Sequence, residues 1–306
     1  MKKILYVILA VSIAINLTGC ERNASVEEEI QASPVMEENI TEKVQERINL
    51  QDNNYSFVTR TINTDNDGKN IYGIAYIPQG AGEKLPTVVY AHGFNSTSES
   101  GAAYAMYLAK HGVAVYCFDF CGGAPNNKSD GAMADMSIFT EKSDLKAVLK
   151  NIKSQDFVDD NNLFLLGESQ GGLVSTMVAS EDATISGMIL LYPAFSIPDM
   201  ARIFLDNVEI IPYTVPVLDA TVGRAYFEGM EDFDINASME EFKGDVLIIH
   251  GEQDKVVNVG YSKRAIETFR SAELKVIEGA GHVFKDDYAN QAMEYMLDYL
   301  EREIAY

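Results

Sequence analysis

The sequence predicts an α/β domain with a mostly parallel central sheet flanked by helices. Three observations carry that expectation. From about residue 56 onward, apolar runs of strand length alternate with segments of helical spacing. The runs at 87–91, 113–118, 162–166, 188–192 and 246–250 are almost wholly apolar, as strands buried on both faces are. One stretch, 195–243, interrupts the alternation.

In chain order, 57–63 and 71–77 read as strands joined by the turn-forming Asp65-Asn66-Asp67-Gly68. The strand at 87–91 precedes a helix at 101–110. The strand at 113–118 precedes a helix at 139–152, where Leu145, Val148, Leu149 and Ile152 share one face. A strand at 162–166 leads into a helix at 171–179, and a strand at 188–192 follows. The chain closes with strands at 246–250 and 274–277 and helices at 261–269 and 288–302. The interrupting stretch 195–243 is too long for a plain crossover. It reads as a short cap inserted over the site, the alternative being an ordinary helix with irregular loops. Right-handed crossovers bring the C-terminal strand ends to one side, where sites form.

The first twenty residues differ from the rest. Lys2 and Lys3 precede an apolar run from Ile4 to Leu17, short of the ~20 residues a membrane span needs but of signal-peptide length. The run ends in Leu17-Thr18-Gly19-Cys20, which resembles the lipobox of bacterial lipoproteins. The resemblance implies cleavage before Cys20, lipidation of its thiol, and an exported protein held on the extracytoplasmic face of a bacterial membrane. Residues 1–19 are then a signal peptide. Residues 20–54, polar and acidic, form a tether with a helical tendency near 41–50, and 55–306 form the folded domain. The formal net charge of −22 becomes more negative once Lys2 and Lys3 are removed. Such a surface repels nucleic acid and anionic headgroups, so the expected membrane link is the lipid alone. Cys117 and Cys121 lie four residues apart around a strand, about 13 Å if extended, which argues for two free thiols. No metal and no cofactor is expected.

The residues that carry chemistry lie at strand ends. Leu166 runs into Gly167-Glu168-Ser169-Gln170-Gly171-Gly172, a G-x-S-x-G between a strand and a helix. A serine in so tight a turn needs small neighbours, and the helix N-terminus favours a developing negative charge. Ser169 is the candidate nucleophile, and a base must take its proton. Of four histidines, His282 lies in the loop between the last strand and the last helix. His111 precedes a strand on the opposite side. His250 ends a strand and reads as a core residue, and His92 opens the loop after 87–91. A carboxylate must hold the base. Asp254, just beyond the strand at 246–250, is the candidate, with Glu252 as competitor. An oxyanion needs fixed N–H donors, one from Gln170 and one from the loop His92-Gly93-Phe94.

From Ser56 to Tyr299 the chain resembles the α/β-hydrolase superfamily, and within it bacterial feruloyl (cinnamoyl) esterases and serine-aminopeptidase-like hydrolases. The shared features are His92-Gly93-Phe94, Asp119-Phe120 with Ser129-Asp130-Gly131, Gly167 to Gly172, Asp254 and Gly281-His282. Cys121-Gly122-Gly123 departs from the arginine–glycine pair of many relatives. The resemblance implies the triad Ser169, Asp254, His282, with Phe94 N–H as the second oxyanion donor and His92 bracing that loop. It also implies a cap that binds the acyl group, for which Phe204, Tyr213, Tyr226 and Phe227 are candidates or, equally, cap packing residues. The expected activity is hydrolysis of carboxylic esters, small or oligosaccharide-linked, through an acyl-enzyme. A serine peptidase on the same triad, with cap carboxylates Asp206, Glu209, Asp219 and Glu228 holding a substrate amine, is the alternative. A non-catalytic surface binding protein is the third reading.

Overall fold

The computed structural model describes residues 50–304. The expectations for the signal peptide, Cys20, the tether up to residue 49 and its helical tendency lie outside the described residues. Leu50 already belongs to the core, being buried among Val88, Val113 and Met296. The amide of Gln51 donates to Glu301. The packed chain therefore extends five residues N-terminal of the expected boundary at 55.

The elements run β1 (Phe57–Thr61), β2 (Thr64–Asn66), β3 (Lys69–Ile71), β4 (Gly73–Pro78), β5 (Leu85–Ala91), α1 (Ala102–Lys110), β6 (Ala114–Phe118) and α2 (Ile138–Ile152). They continue as β7 (Val158–Glu168), α3 (Gln170–Ala179), β8 (Gly187–Leu191), α4 (Ile197–Asp206), β9 (Thr214–Val217), β10 (Ala220–Gly223) and α5 (Ile235–Glu241). Last come β11 (Asp245–Gly251), α6 (Gly260–Thr268), β12 (Ala272–Ile277) and α7 (Asp286–Glu303). Eight strands form one sheet in the order β1-β4-β6-β5-β7-β8-β11-β12. β1 and β4 pair antiparallel at one edge, β4 is antiparallel to β6, and the remaining pairings are parallel.

Alternation along the buried strands sorts side chains to the two faces. Val89, Leu165, Met188 and Ile248 pack with Leu145 and Val148 of α2 and Val174 of α3. Val88, Leu166, Ile189 and Leu247 pack on the opposite face with Leu108 of α1 and Met296, Leu297 and Leu300 of α7. α2 starts where Ser137 and Thr140 exchange side-chain and backbone hydrogen bonds at 3.2 and 2.9 Å. Cys117 and Cys121 are both buried free thiols.

Two regions are more structured than the sequence suggests. The Asp65–Gly68 turn is the tip of a small β2–β3 hairpin. Asp67 and Gly68 both adopt positive φ, 52° and 83°, as a two-residue loop between twisted strands requires. The stretch 195–243 folds into α4, a β9–β10 hairpin, a single turn at Arg224–Tyr226, and α5 packed beside α3 and α6.

Candidate active site

β7 delivers Ser169 directly to the start of α3. Ser169 has φ 51° and ψ −114°, a region that costs a residue with a side chain about 1–3 kcal/mol. Its surroundings impose this conformation. The Ser169 N–H donates to Leu191 O at 2.9 Å, and its carbonyl accepts from the N–H groups of Ala194 at 2.9 Å and Gly172 at 3.0 Å. The flanking glycines are required by contact. A Cβ on Gly171 would lie 2.2 Å from Ala91 O, and one on Gly167 would lie 2.5 Å from Gly172 Cα.

Three loops at the same sheet edge converge on this turn. Ser169 Oγ lies 3.0 Å from His282 Nε2, and His282 Nδ1 lies 2.7 Å from Asp254 Oδ2. The three residues expected from the sequence are therefore in hydrogen-bond contact. Glu252, the competing carboxylate, is exposed and accepts instead from the Gly279 N–H at 3.2 Å. Asp254 has a fully buried side chain. Its Oδ1 accepts from Val256 N–H at 2.8 Å and Val257 N–H at 2.9 Å. Burial pushes its pKa upward, but hydrogen bonds from His250 and His282, the His282 charge and the Val257 amide outweigh this. The carboxyl is held well below its usual range. The Tyr192 ring packs against the His282 ring with centroids 4.7 Å apart, and its hydroxyl donates to Glu168 at 2.7 Å. Tyr90 donates to the other oxygen of the same carboxylate.

The loop after β5 lies over the nucleophile: a Cβ on Gly93 would stand 3.2 Å from Ser169 Cβ. His92 braces it as expected. Its Nε2 accepts from Phe120 N–H at 3.0 Å, so in the neutral ring Nδ1 donates to Gly93 O at 2.8 Å. Burial lowers the His92 pKa, which favours that neutral ring. Of the expected oxyanion donors, Gln170 follows Ser169 in the chain, and Phe94 follows Gly93, the residue packed against Ser169 Cβ.

The candidate cap aromatics divide. Tyr226 and Phe227 are buried, and Phe227 stacks on Phe204 with centroids 4.3 Å apart. Tyr226 meets the Phe94 ring edge-on at 5.8 Å, and its hydroxyl donates to Gln170 Oε1 at 2.7 Å. Tyr213 does not join them, being 77% exposed. Asp206, Glu209, Asp219 and Glu228 are all exposed.

Sequence reasoning passed over two buried polar groups, Glu141 and Glu168, and read a third, His250, as a core residue without its contact to Asp254. Glu141 accepts from Gln170 Nε2 at 2.9 Å, and burial above all raises its pKa to about 8. Its position three residues after Ile138 and four before Leu145 puts it on the apolar face of α2, a legible signal. Glu168, inside the G-x-S-x-G itself, carries the two tyrosine hydroxyls. His250, fully buried, has Nε2 3.1 Å from Asp254 Oδ2. The available sign was the four-residue spacing of His250 and Asp254 across the strand-ending Gly251. His111 packs against the Tyr107 ring and takes no part in this cluster's hydrogen bonds.

Comparison with known proteins agrees with this fold. The sequence model of the family described as "Serine aminopeptidase, S33" matches residues 82–218. Caffeoylshikimate esterase of Arabidopsis thaliana is 35% identical over 124 residues, 39% of this chain and 36% of that protein, so the match spans about a third of that relative. Monoglyceride lipase of Mus musculus is 23% identical over 252 residues, covering 71% of this chain and 81% of the lipase. The ferulic acid complex of Est1E from Butyrivibrio proteoclasticus superposes with a TM-score of 0.74 at 28% identity, over 80% of this chain and 100% of Est1E. Acetyl xylan esterase 1 from Thermoanaerobacterium sp. JW/SL YS485 shares the fold at TM-score 0.61 and 19% identity, over 79% of this chain and 84% of that one. With its eight-stranded sheet, its strand-to-helix turn at Ser169 and these likenesses, the chain has the α/β-hydrolase fold and resembles the esterases that share it.

Proposed function

We propose that the protein is a serine hydrolase that cleaves carboxylic esters through an acyl-enzyme. The observation that carries this reading is the continuous contact Ser169 Oγ–His282 Nε2–Asp254 at 3.0 and 2.7 Å. His282 takes the Ser169 proton as the oxygen attacks the ester carbonyl, and buried Asp254 stabilises the imidazolium. The N–H groups of Phe94 and Gln170 receive the oxyanion. His282 then protonates the leaving alcohol. Water then attacks the acyl carbonyl while His282 takes its proton, and His282 returns that proton to Ser169 Oγ as the Oγ–acyl bond breaks and the acid leaves.

Ester substrates are supported by the two relatives whose names mark them as an esterase and a lipase. Phe94, Tyr226, Phe227 and Phe204 form an aromatic wall suited to an apolar or aromatic acyl group. The matched family description keeps aminopeptidase activity as the second reading. The scattered, exposed cap carboxylates give it no amine-binding cluster. The proposal includes export and lipid anchoring, which rest on the sequence around Cys20. Among the described residues no helix is long and apolar enough to cross a membrane.

The test is hydrolysis of p-nitrophenyl acetate by wild type and Ser169→Ala, alongside an aminoacyl-anilide panel. Ester turnover that disappears with Ser169→Ala supports the proposal. A variant as active as wild type rejects it, and faster turnover of the anilides favours the peptidase.

A further inference from the structure

We propose that His250, locked by Ser262, is a positioning residue for Asp254, an outer link that sets the charge His282 experiences. This rests on the reading of Ser169, His282 and Asp254 as a triad. His250 ends β11 and Ser262 lies in α6, and both side chains are completely buried. His250 Nε2 stands 2.9 Å from Val257 O and 3.1 Å from Asp254 Oδ2. Neither oxygen has a hydrogen to give, since Asp254 is held ionised, so Nε2 carries one. In the neutral ring Nδ1 is then a bare lone pair, and Ser262 Oγ, 2.7 Å away, donates to it. Ser262 therefore fixes the tautomer that presents an N–H to Asp254.

Two consequences follow from this geometry. Nε2–H donates to Val257 O, and the same nitrogen stands 3.1 Å from Asp254 Oδ2, so one ring holds both ends of the turn that carries the carboxylate against the end of β11. Asp254 Oδ2 also divides its charge between two imidazoles, since His282 Nδ1 is its other partner at 2.7 Å. Among the described residues, the histidines that pair with Asp254 are these two. The His282 ring has Asp254 on Nδ1, Ser169 on Nε2 and the neutral Tyr192 ring against it. Taking the His250 donor away leaves Asp254 Oδ2 to His282 alone. The imidazolium gains attraction, and the proton is harder to remove from His282.

The experiment compares wild type, His250→Leu, His250→Gln and Ser262→Ala in the full chain. Active sites are counted with a fluorophosphonate, and kcat/KM for a p-nitrophenyl ester is measured across pH. His250→Leu is expected to lose about tenfold to a hundredfold in kcat per active site, the worth of a hydrogen bond to a charged group. Its acid limb is expected to move to higher pH. His250→Gln, whose amide N–H takes the place of Nε2–H, is expected to restore most of the rate and return the limb toward wild type. Ser262→Ala is expected to shift the limb in the same direction as His250→Leu, with a smaller loss. A packing role alone lowers the number of active sites and the melting temperature but leaves the limb in place. An unmoved limb in Ser262→Ala overturns the proposal, even if His250→Leu does not fold. A wild type that neither reacts with the fluorophosphonate nor cleaves esters instead removes the triad reading, and this inference with it.

Discussion

The Tyr226 hydroxyl donates to the side-chain carbonyl of Gln170 at 2.7 Å, while the same amide donates from its nitrogen to buried Glu141 at 2.9 Å. One side chain next to the nucleophile is thereby clamped between α2 and the inserted segment. Tyr226 also touches Phe94, so a single residue of the insertion contacts both residues proposed to supply oxyanion donors.

Tyr226→Phe keeps the ring and removes that donor, leaving the Gln170 carbonyl buried without its partner. The expected loss of stability is about 1–3 kcal/mol, read from urea midpoints. If the contact also steadies the oxyanion site, kcat falls more than KM changes. Equal midpoints for the two proteins would contradict the clamp.

Backbone strain and chemistry at Ser169 separate in a pair of variants. Glycine adopts φ 51° without penalty, whereas alanine keeps the strain. Ser169→Gly is expected to be more stable than Ser169→Ala by up to ~1 kcal/mol by thermal melting, with esterase activity absent from both.

Glu141 gives a pH signature to stability rather than to rate. Burial, partly countered by the Gln170 bond, raises its pKa to about 8 from 4.5. Between these values the folded chain retains a proton that the unfolded chain has released. Stability therefore falls as pH rises through that window, by about 1.4 kcal/mol per unit from this group. Glu141→Gln keeps an acceptor for Gln170 and has no proton to lose. Its stability relative to wild type should be greater at pH 8 than at pH 5, as measured by urea unfolding.

Asp254 has the opposite sign. Its native pKa lies below the unfolded value of 3.8, so its contribution is full above that value and disappears as pH falls toward the native one. The unfolding midpoints of wild type and Asp254→Asn should thus converge in strong acid. Near neutral pH the variant should lose roughly 10⁴-fold in kcat, because an amide leaves His282 in the wrong tautomer.

Much of this site was legible in the sequence because its constraints are local. Gly167 and Gly171 are forced by backbone approach at one turn, and Ser169 sits between them. Asp254 and His282 follow the ends of strands whose direction alternation fixes. The remainder depends on side chains meeting across elements. Nothing near His250 announces Ser262, twelve residues on and one helix away. Glu141 shows only as a charge on an apolar helix face. The β9–β10 hairpin was hidden by its short strands and by Pro216, which argues against a strand in isolation. Tyr213 had the right composition for a pocket wall, but its neighbours leave it on the surface.

The stretch between β8 and β11 leaves the C-terminal edge of the sheet and must re-enter at the N-terminal edge, because the two strands are parallel. Part of it is therefore obligatory return path: α5, capped by Asp234 and packed beside α3 and α6, performs that crossing. Only α4, the hairpin and the Arg224–Tyr226 turn are free of that duty. Every strand that carries Ser169, Asp254, His282 or the Phe94 loop lies elsewhere in the chain. A graft exchanging this segment for a relative's has its natural seam before Asp234, with the crossing helix left to the host and the portion preceding it replaced.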